Sequence, residues 1–448
     1  MNDMTNTPPL AGDALPYRPS LRISSRDWLM IIAAFVLSRV ALYGMGYFGV
    51  QLYGAPDIGP LQAYCQFDCV WFQRIIENGY DLYPRWLSKG NAANWAFMPL
   101  YPMISGTISN LLNVESLIGL MLVANLAFFI SLPLMLLVLR QLKLGDDTAR
   151  FGVWLLAFSP FSAYFVSGYT ESMFMALMLG MFLFAYREQW LMVAFLGIFI
   201  SGTRNLGVMM VFPVLILALQ AYGWREFFRF TERAFKVVFT LWLIPLGLFS
   251  YMVYLYHLTG DALAFKHIQV AWGRYMDSPL DWWLSGFELG GRKAYLSIMV
   301  IFGWCLNGYL FSQKRWAEAT LMFICCTIPL MTGLNAMPRY MFGLYPTMLA
   351  LVLLVRSRPR GYSHRLVSMS ETNQSMVRPV TVCPSLPKYT ARVQASETAG
   401  ASRDAVSSEA MATRKFIMDS LVGGRRGGRR NARVVGDRAG TPRSPPRC

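Results

Sequence analysis

Apolar residues are strung along this chain in long runs, with polar residues gathered at the junctions between them. Ten such stretches stand out, at roughly 27–47, 116–139, 151–167, 171–186, 190–203, 205–222, 237–256, 294–312, 316–333 and 340–355. A helix needs about 20 apolar residues to cross about 30 Å of hydrocarbon, and in lipid only a helix or a closed barrel satisfies its own backbone. The pattern therefore predicts an all-α integral membrane protein with about ten transmembrane helices, several of them short. Residues 97–112 are apolar as well, but Pro99, Pro102, Gly106 and several hydroxyls interrupt them. They are read as an interfacial or re-entrant piece. The first apolar stretch begins after residue 26, is too long for a signal-peptide core and lacks a small-residue cleavage site.

Basic residues in short loops give an orientation. Arg18, Arg22 and Arg26 precede the first stretch. Arg140, Lys143 and Arg150 follow the second, and Arg187, then Arg225, Arg229, Arg233 and Lys236, then Lys314 and Arg315, then Arg356, Arg358 and Arg360 follow on alternate turns. Ten spans put all of these on the cytoplasmic side, and an eleventh at 97–112 would break the agreement. The opposite side then carries residues 48–115, the turns at 167–171 and 202–205, and the loops at 257–293 and 334–339.

Composition agrees with a membrane body. Of 448 residues 55% are hydrophobic and 15% charged, against about a quarter charged in soluble domains. The net charge of +16 resembles that of a nucleic-acid binder until its location is considered. Residues 356–448 hold 18 Lys+Arg and 6 Asp+Glu, which leaves 23 and 19 on residues 1–355. The membrane body is close to balanced and no nucleic-acid partner is implied. The tail is rich in Ser, Thr, Arg, Gly and Pro and reads as a disordered basic cytoplasmic segment. It is either an arm for anionic lipid or a dispensable extension. The expected organisation is a cytoplasmic segment 1–26, a membrane domain 27–355 and the tail 356–448.

Cys305, Cys325 and Cys326 lie in apolar stretches and read as buried small hydrophobes. Cys65 and Cys69 stand four apart in a polar loop. With no histidine partner near them, they are expected to be unpaired, a metal pair or a disulfide being the alternatives. No cluster suits a metal cage, so no metal and no cofactor are expected.

The chemistry-bearing residues gather in the external loops. From Phe67 to Ile76, apolar residues at 67, 71, 72, 75 and 76 recur at helical spacing, as in an amphipathic helix lying on a membrane surface. Asp68 sits at the edge of that stripe, at headgroup level, where a carboxylate can act as general base or stand as a solvated polar-face residue. Next comes Ala96-Phe97-Met98-Pro99-Leu100-Tyr101-Pro102, a stiff aromatic turn. Glu171 lies between an external turn and a span. It can pair with Arg204, orient a substrate hydroxyl, or cap its helix. Arg39, inside the first stretch, needs a partner, with Asp68 or Glu171 as candidates, or a snorkelling route to the surface. His267 carries no assigned role, and Trp282 and Trp283 suit an interfacial belt.

Taken in order, five segments resemble the PIG-V-type mannosyltransferases. They are Phe67-Asp68 through Glu77-Asn78-Gly79-Tyr80 to Phe97–Pro102; Tyr169-Thr170-Glu171-Ser172; Thr203-Arg204-Asn205 with Gly207; Asp261–Phe265 with Gln269 and Trp272; and Met337-Pro338-Arg339-Tyr340 with Tyr345-Pro346. Phe67 replaces the family's usual Trp, and Ala262 a common Pro. The resemblance implies a GT-C type glycosyltransferase that takes mannose from a polyprenyl-phosphate carrier with inversion, using no nucleotide sugar. Asp68 would be the base. Arg339, Arg204 and Lys266 would be the external cations for the lipid phosphate, with Arg339 favoured because it opens the last span. Glu171, Tyr340, Gln269 and Trp272 complete the expected substrate site. The acceptor would be a glycolipid, glycan or protein. Compact loops and the lack of an endoplasmic-reticulum retrieval signal favour a bacterial cytoplasmic membrane, or the endoplasmic reticulum in a eukaryote. The competing reading is a transporter or flippase for a lipid-linked sugar, although no internal repeat is visible.

Overall fold

The computed structural model describes residues 18–52, 59–87 and 89–357. The expected disorder of the tail falls outside the described residues. Within them all regular structure is helical apart from one antiparallel bridge, Trp86 with Ala92. In chain order the principal helices are α1 (Ser25–Leu52), α2 (Asp68–Asn78), α3 (Leu100–Leu112), α4 (Ser116–Gln141), α5 (Asp146–Phe158), α6 (Glu171–Tyr186), α7 (Trp190–Thr203), α8 (Asn205–Tyr222), α9 (Glu232–Thr259), α10 (Pro279–Leu289), α11 (Gly291–Ser312), α12 (Trp316–Leu330), α13 (Met337–Phe342) and α14 (Tyr345–Arg356).

Each of the ten apolar stretches is helical. Five helices, α1, α4, α8, α9 and α11, are long and apolar enough to cross a membrane. A sixth candidate is α5 with Pro160–Val166, a pair bent by 53° at Ser159-Pro160, where proline removes a backbone donor. The remaining four, α6, α7, α12 and α14, are apolar but shorter. The chain is thus a membrane-embedded helical protein with, among the described residues, five helices of spanning length, or six with the bent pair. α3 is a helix of 13 residues, packed on α2 and α4.

Local chemistry fixes the helix ends. The Ser24 hydroxyl accepts from the Asp27 N–H at 3.2 Å and donates to the Asp27 carboxylate at 2.7 Å, which caps α1. Asp27 also receives Arg140 and Arg150, each at 2.8 Å, tying α1, α4 and α5 together at one end. A second buried network joins α6, α12 and α14. Glu318 is paired with Arg315 and accepts from the Tyr186 hydroxyl at 2.5 Å, and that hydroxyl lies 3.3 Å from that of Tyr345.

Against lipid, apolar burial drives helix association less than close packing does. α7 and α9 show this, since a Cβ on Gly247 would collide with the Ile198 carbonyl oxygen. The interior is filled by Phe128, Leu132, Met135, Phe165, Phe182 and Tyr345. Arg39 is buried there at 6% exposure. Neither carboxylate expected for it is its partner. Its Nη2 donates to Ser162 at 3.0 Å, and its guanidinium lies 4.2 Å from the Phe128 ring centre. Both carboxylates are engaged elsewhere, Asp68 by Arg339 and Glu171 by Arg339 and Arg204, and Ser162, just past the Ser159-Pro160 break, takes their place.

Candidate functional site

Asp68 is the first residue of α2. Phe67 before it adopts φ 49°, in the left-handed region, so the chain turns sharply into the helix. Cys69, Trp71, Phe72 and Ile75 form the buried face of α2. The same turn brings the Cα atoms of Cys65 and Cys69 within 5.0 Å, and the two are joined as a disulfide. This corrects the expectation of unpaired cysteines: a separation inside the usual 4.4–6.8 Å range needs no histidine or metal to account for the pair.

The Asp68 carboxylate meets Arg339 of α13, with Oδ2 2.5 Å from Nη1. Arg339 also donates through Nε to Oε1 of Glu171, and Arg204 donates through Nη1 to that same oxygen. Glu171 opens α6, Arg204 closes α7, and Arg339 lies just ahead of α14. Four of the expected site residues, drawn from segments far apart in sequence, thus form one continuous chain of charge. Glu171 is 2% exposed, while the side chains of Arg339 and Asp68 are 12% and 31% exposed. Asp68 therefore stands at the accessible end of the chain. Oε2 of Glu171 is buried and has no hydrogen-bond partner among the described residues.

Aromatic rings hold the cations in place. The Arg339 guanidinium lies 4.6 Å from the Tyr169 ring centre, and Arg204 lies 5.2 Å from that of Tyr340, both within cation–π reach. Tyr169 donates to the Gln66 carbonyl at 3.0 Å, which ties this turn to the disulfide loop. Gly168 allows the approach, since a Cβ there would stand 2.5 Å from the Cys69 sulfur.

Arg274, which the sequence alone does not single out, also reaches the cluster. Its Nη1 donates to the Tyr340 hydroxyl at 3.3 Å. Tyr340 raises the Arg274 pKa still further, against the opposing effect of burial. The signal that marks it in the sequence is an arginine two residues past Trp272 on the same loop.

The other expected residues divide. Trp272 packs edge-on to Trp71 at 5.4 Å, and Trp71 stacks on Phe97 at 5.6 Å, so an aromatic shelf lies along α2. Lys266 is exposed and forms no ion pair among the described residues. The Gln269 amide turns to its local Phe265 carbonyl at 3.5 Å. Neither joins the cluster. His267 pairs with Asp261 at 2.6 Å and holds that carboxyl below its usual range.

A cavity of about 10 Å³, bordered by Glu171, Arg204, Arg339 and Tyr340 among others, lies within the cluster. That is the room of about one water molecule, enough for a hydroxyl group and far too small for a sugar ring. Among the described residues no three of His, Cys, Asp and Glu are grouped to hold a metal ion. Arg204, Arg274 and Arg339 against Asp68 and Glu171 leave one surplus positive charge, and Asp68 is the more accessible of the two carboxylates. Such a set suits an anionic leaving group beside a proton acceptor. No protein-family model matches this chain, and no curated protein sequence does either.

Proposed function

We propose that this protein is a glycosyltransferase that moves mannose from a polyprenyl-phosphate carrier to a glycolipid, glycan or protein acceptor on the extracytoplasmic side of its membrane. The observation that carries this reading is the meeting of Asp68 and Arg339, which brings a carboxylate and a guanidinium to one spot at the edge of a membrane-embedded helix bundle. In the reaction the acceptor hydroxyl gives its proton to Asp68. Its oxygen bonds to the anomeric carbon from the face opposite the phosphate. The bond from that carbon to the phosphate oxygen breaks, its electron pair stays on the phosphate, and the anomeric centre inverts. Phosphate oxygens arriving at Arg339 compete with Asp68 for its N–H groups and so release the carboxylate to act as base. Ten crossings, with the basic loops in the cytoplasm, belong to the same proposal, and so does a bacterial cytoplasmic membrane, which the compact loops favour.

The test is transfer of labelled mannose from polyprenyl-phosphate-mannose in membranes carrying wild type, Asp68→Asn, Arg339→Ala or Arg339→Lys. The expected result is transfer by wild type, a loss of about 10²–10⁴-fold in Asp68→Asn, and a deeper loss in Arg339→Ala than in Arg339→Lys. Equal transfer by wild type and Asp68→Asn removes Asp68 as base. No transfer by wild type removes the donor or the whole reading.

A second reading, a transporter or flippase for a lipid-linked sugar, draws on one observation: a buried arginine, Arg39, bonded to Ser162 just past a helix break at Ser159-Pro160. Broken helices beside intramembrane charge are what transporters use. Arg39→Met separates the two. A transporter built on Arg39 loses function, whereas the transferase keeps its activity.

A further inference from the structure

The three arginines of the cluster differ in what already holds their charge. Arg204 is paired with Glu171, and Arg339 with both Glu171 and Asp68. Arg274 has no carboxylate within ion-pair distance among the described residues, and its side chain hydrogen-bonds to the Tyr340 hydroxyl. Its guanidinium is therefore the cluster's surplus charge, and the one that an incoming anion can engage without first breaking an ion pair. Tyr340 fixes its place, since the hydroxyl takes Nη1 of Arg274 while the ring lies against Arg204.

Beyond Arg274 exposed apolar side chains alternate with the exposed carboxylates Asp277 and Asp281. Tyr275 and Met276 are 58% and 60% exposed. On α10, Leu280, Leu284 and Phe287 stand at helical spacing and are all exposed. A cation beside exposed apolar side chains is the complement of an amphiphile with an anionic head and a hydrocarbon tail.

We infer that Arg274 and the exposed apolar side chains of Tyr275, Met276, Leu280 and Leu284 form the docking site of the lipid carrier, Arg274 receiving the phosphate and these side chains receiving the first isoprene units. This rests on the proposed transferase reading and adds to it an order of events. The phosphate is held first by Arg274. It then draws on Arg339, whose release from Asp68 makes the carboxylate available. Arg339 acts in the chemical step, and Arg274 acts chiefly in binding the donor.

The experiment uses the full chain in nanodiscs and measures binding of a polyprenyl phosphate and of the matching uncharged polyprenol, alongside transfer kinetics. Arg274→Gln is expected to weaken phosphate binding about 10–100-fold and to raise KM for the donor more than it lowers kcat, leaving polyprenol binding unchanged. Arg274→Lys restores part of the loss, which a merely structural arginine would not show. Leu284→Gln weakens both lipids alike. Wild-type phosphate affinity in Arg274→Gln overturns the inference while leaving the transferase reading intact, and so does an equal loss for phosphate and alcohol. Phosphate-selective binding that depends on Arg274, in a wild type that transfers no sugar, supports the docking site and overturns the transferase reading instead.

Discussion

Arg204 and Arg339 donate to a single oxygen of Glu171, so one buried carboxylate holds the end of α7 and the segment before α14 against the start of α6. Two guanidinium groups that would repel each other are joined by the charge between them. Glu171→Ala leaves both cations buried without it, a change expected to cost about 3–5 kcal/mol. Thermal unfolding of the purified protein in detergent checks this. Glu171→Gln, which keeps an acceptor oxygen but no charge, is expected to fall between wild type and Ala. An unchanged midpoint in Glu171→Ala would show that the pairs contribute nothing net.

The Cys65–Cys69 bridge predicts a thiol count. Reduction of the denatured chain is expected to expose two more reactive thiols than denaturation alone, and the double variant Cys65→Ser/Cys69→Ser abolishes that difference. By chain-entropy reasoning, closing so short a loop contributes about 2 kcal/mol. The double variant is expected to lower the unfolding midpoint accordingly and to reduce transfer, because the bridge fixes the turn from which Asp68 projects.

Two glycines give a contrast. A Cβ at Gly168 would meet the Cys69 sulfur at 2.5 Å and Leu120 Cβ at 3.4 Å, whereas one at Gly44 in α1 meets nothing within 4 Å. Gly168→Ala is expected to destabilise the protein by about 1–3 kcal/mol through overpacking and to depress transfer, since Tyr169 and Glu171 follow on the same turn. Gly44→Ala is expected to stabilise α1 by up to about 1 kcal/mol with transfer unchanged. Parallel unfolding and transfer assays on the two variants decide it.

The network around Glu318 ranks two tyrosines. The Tyr186 hydroxyl donates directly to the buried carboxylate and receives Arg315 at 3.1 Å, whereas that of Tyr345 meets the Tyr186 hydroxyl and Arg315 but makes no bond to the carboxylate. Tyr186→Phe is expected to cost about 1.5–3 kcal/mol, as for a bond to a charged group, and Tyr345→Phe about 0.5–1.5 kcal/mol. The reverse order in unfolding measurements would mean that the hydroxyls are arranged differently.

Much of this is legible in the sequence for a physical reason. Apolar runs must be helical wherever lipid is the solvent, so all ten stretches form helices. Asp68, Glu171, Arg204 and Arg339 stand out because charge at the end of an apolar run demands an explanation. Helix length is legible at α6 and α7, whose bounds match the apolar stretches at 171–186 and 190–203, and less so at α12, which stops at Leu330, and at α14, which opens only at Tyr345 after the separate turn of α13. The disulfide depends on the left-handed backbone at Phe67, which spacing alone does not reveal. Arg315 reads as an exposed basic loop residue, although Glu318 three positions on marks a helical ion pair. Arg39 invites a match to distant carboxylates because its true partner, Ser162, bears no charge. Arg274 escapes notice because its distinction is the lack of a counter-charge, which only the folded arrangement exposes.

The helices that converge on Glu171 are short. α6 has 16 residues, α7 has 14 and α14 has 12, or about 24, 21 and 18 Å at 1.5 Å per residue. Should these three cross, lipid around them must thin to match, sinking its polar surface into a dimple over the arginines. The carrier's phosphate then descends to meet its binding groups without leaving the polar layer, and turnover in reconstituted bilayers is expected to fall as acyl chains lengthen.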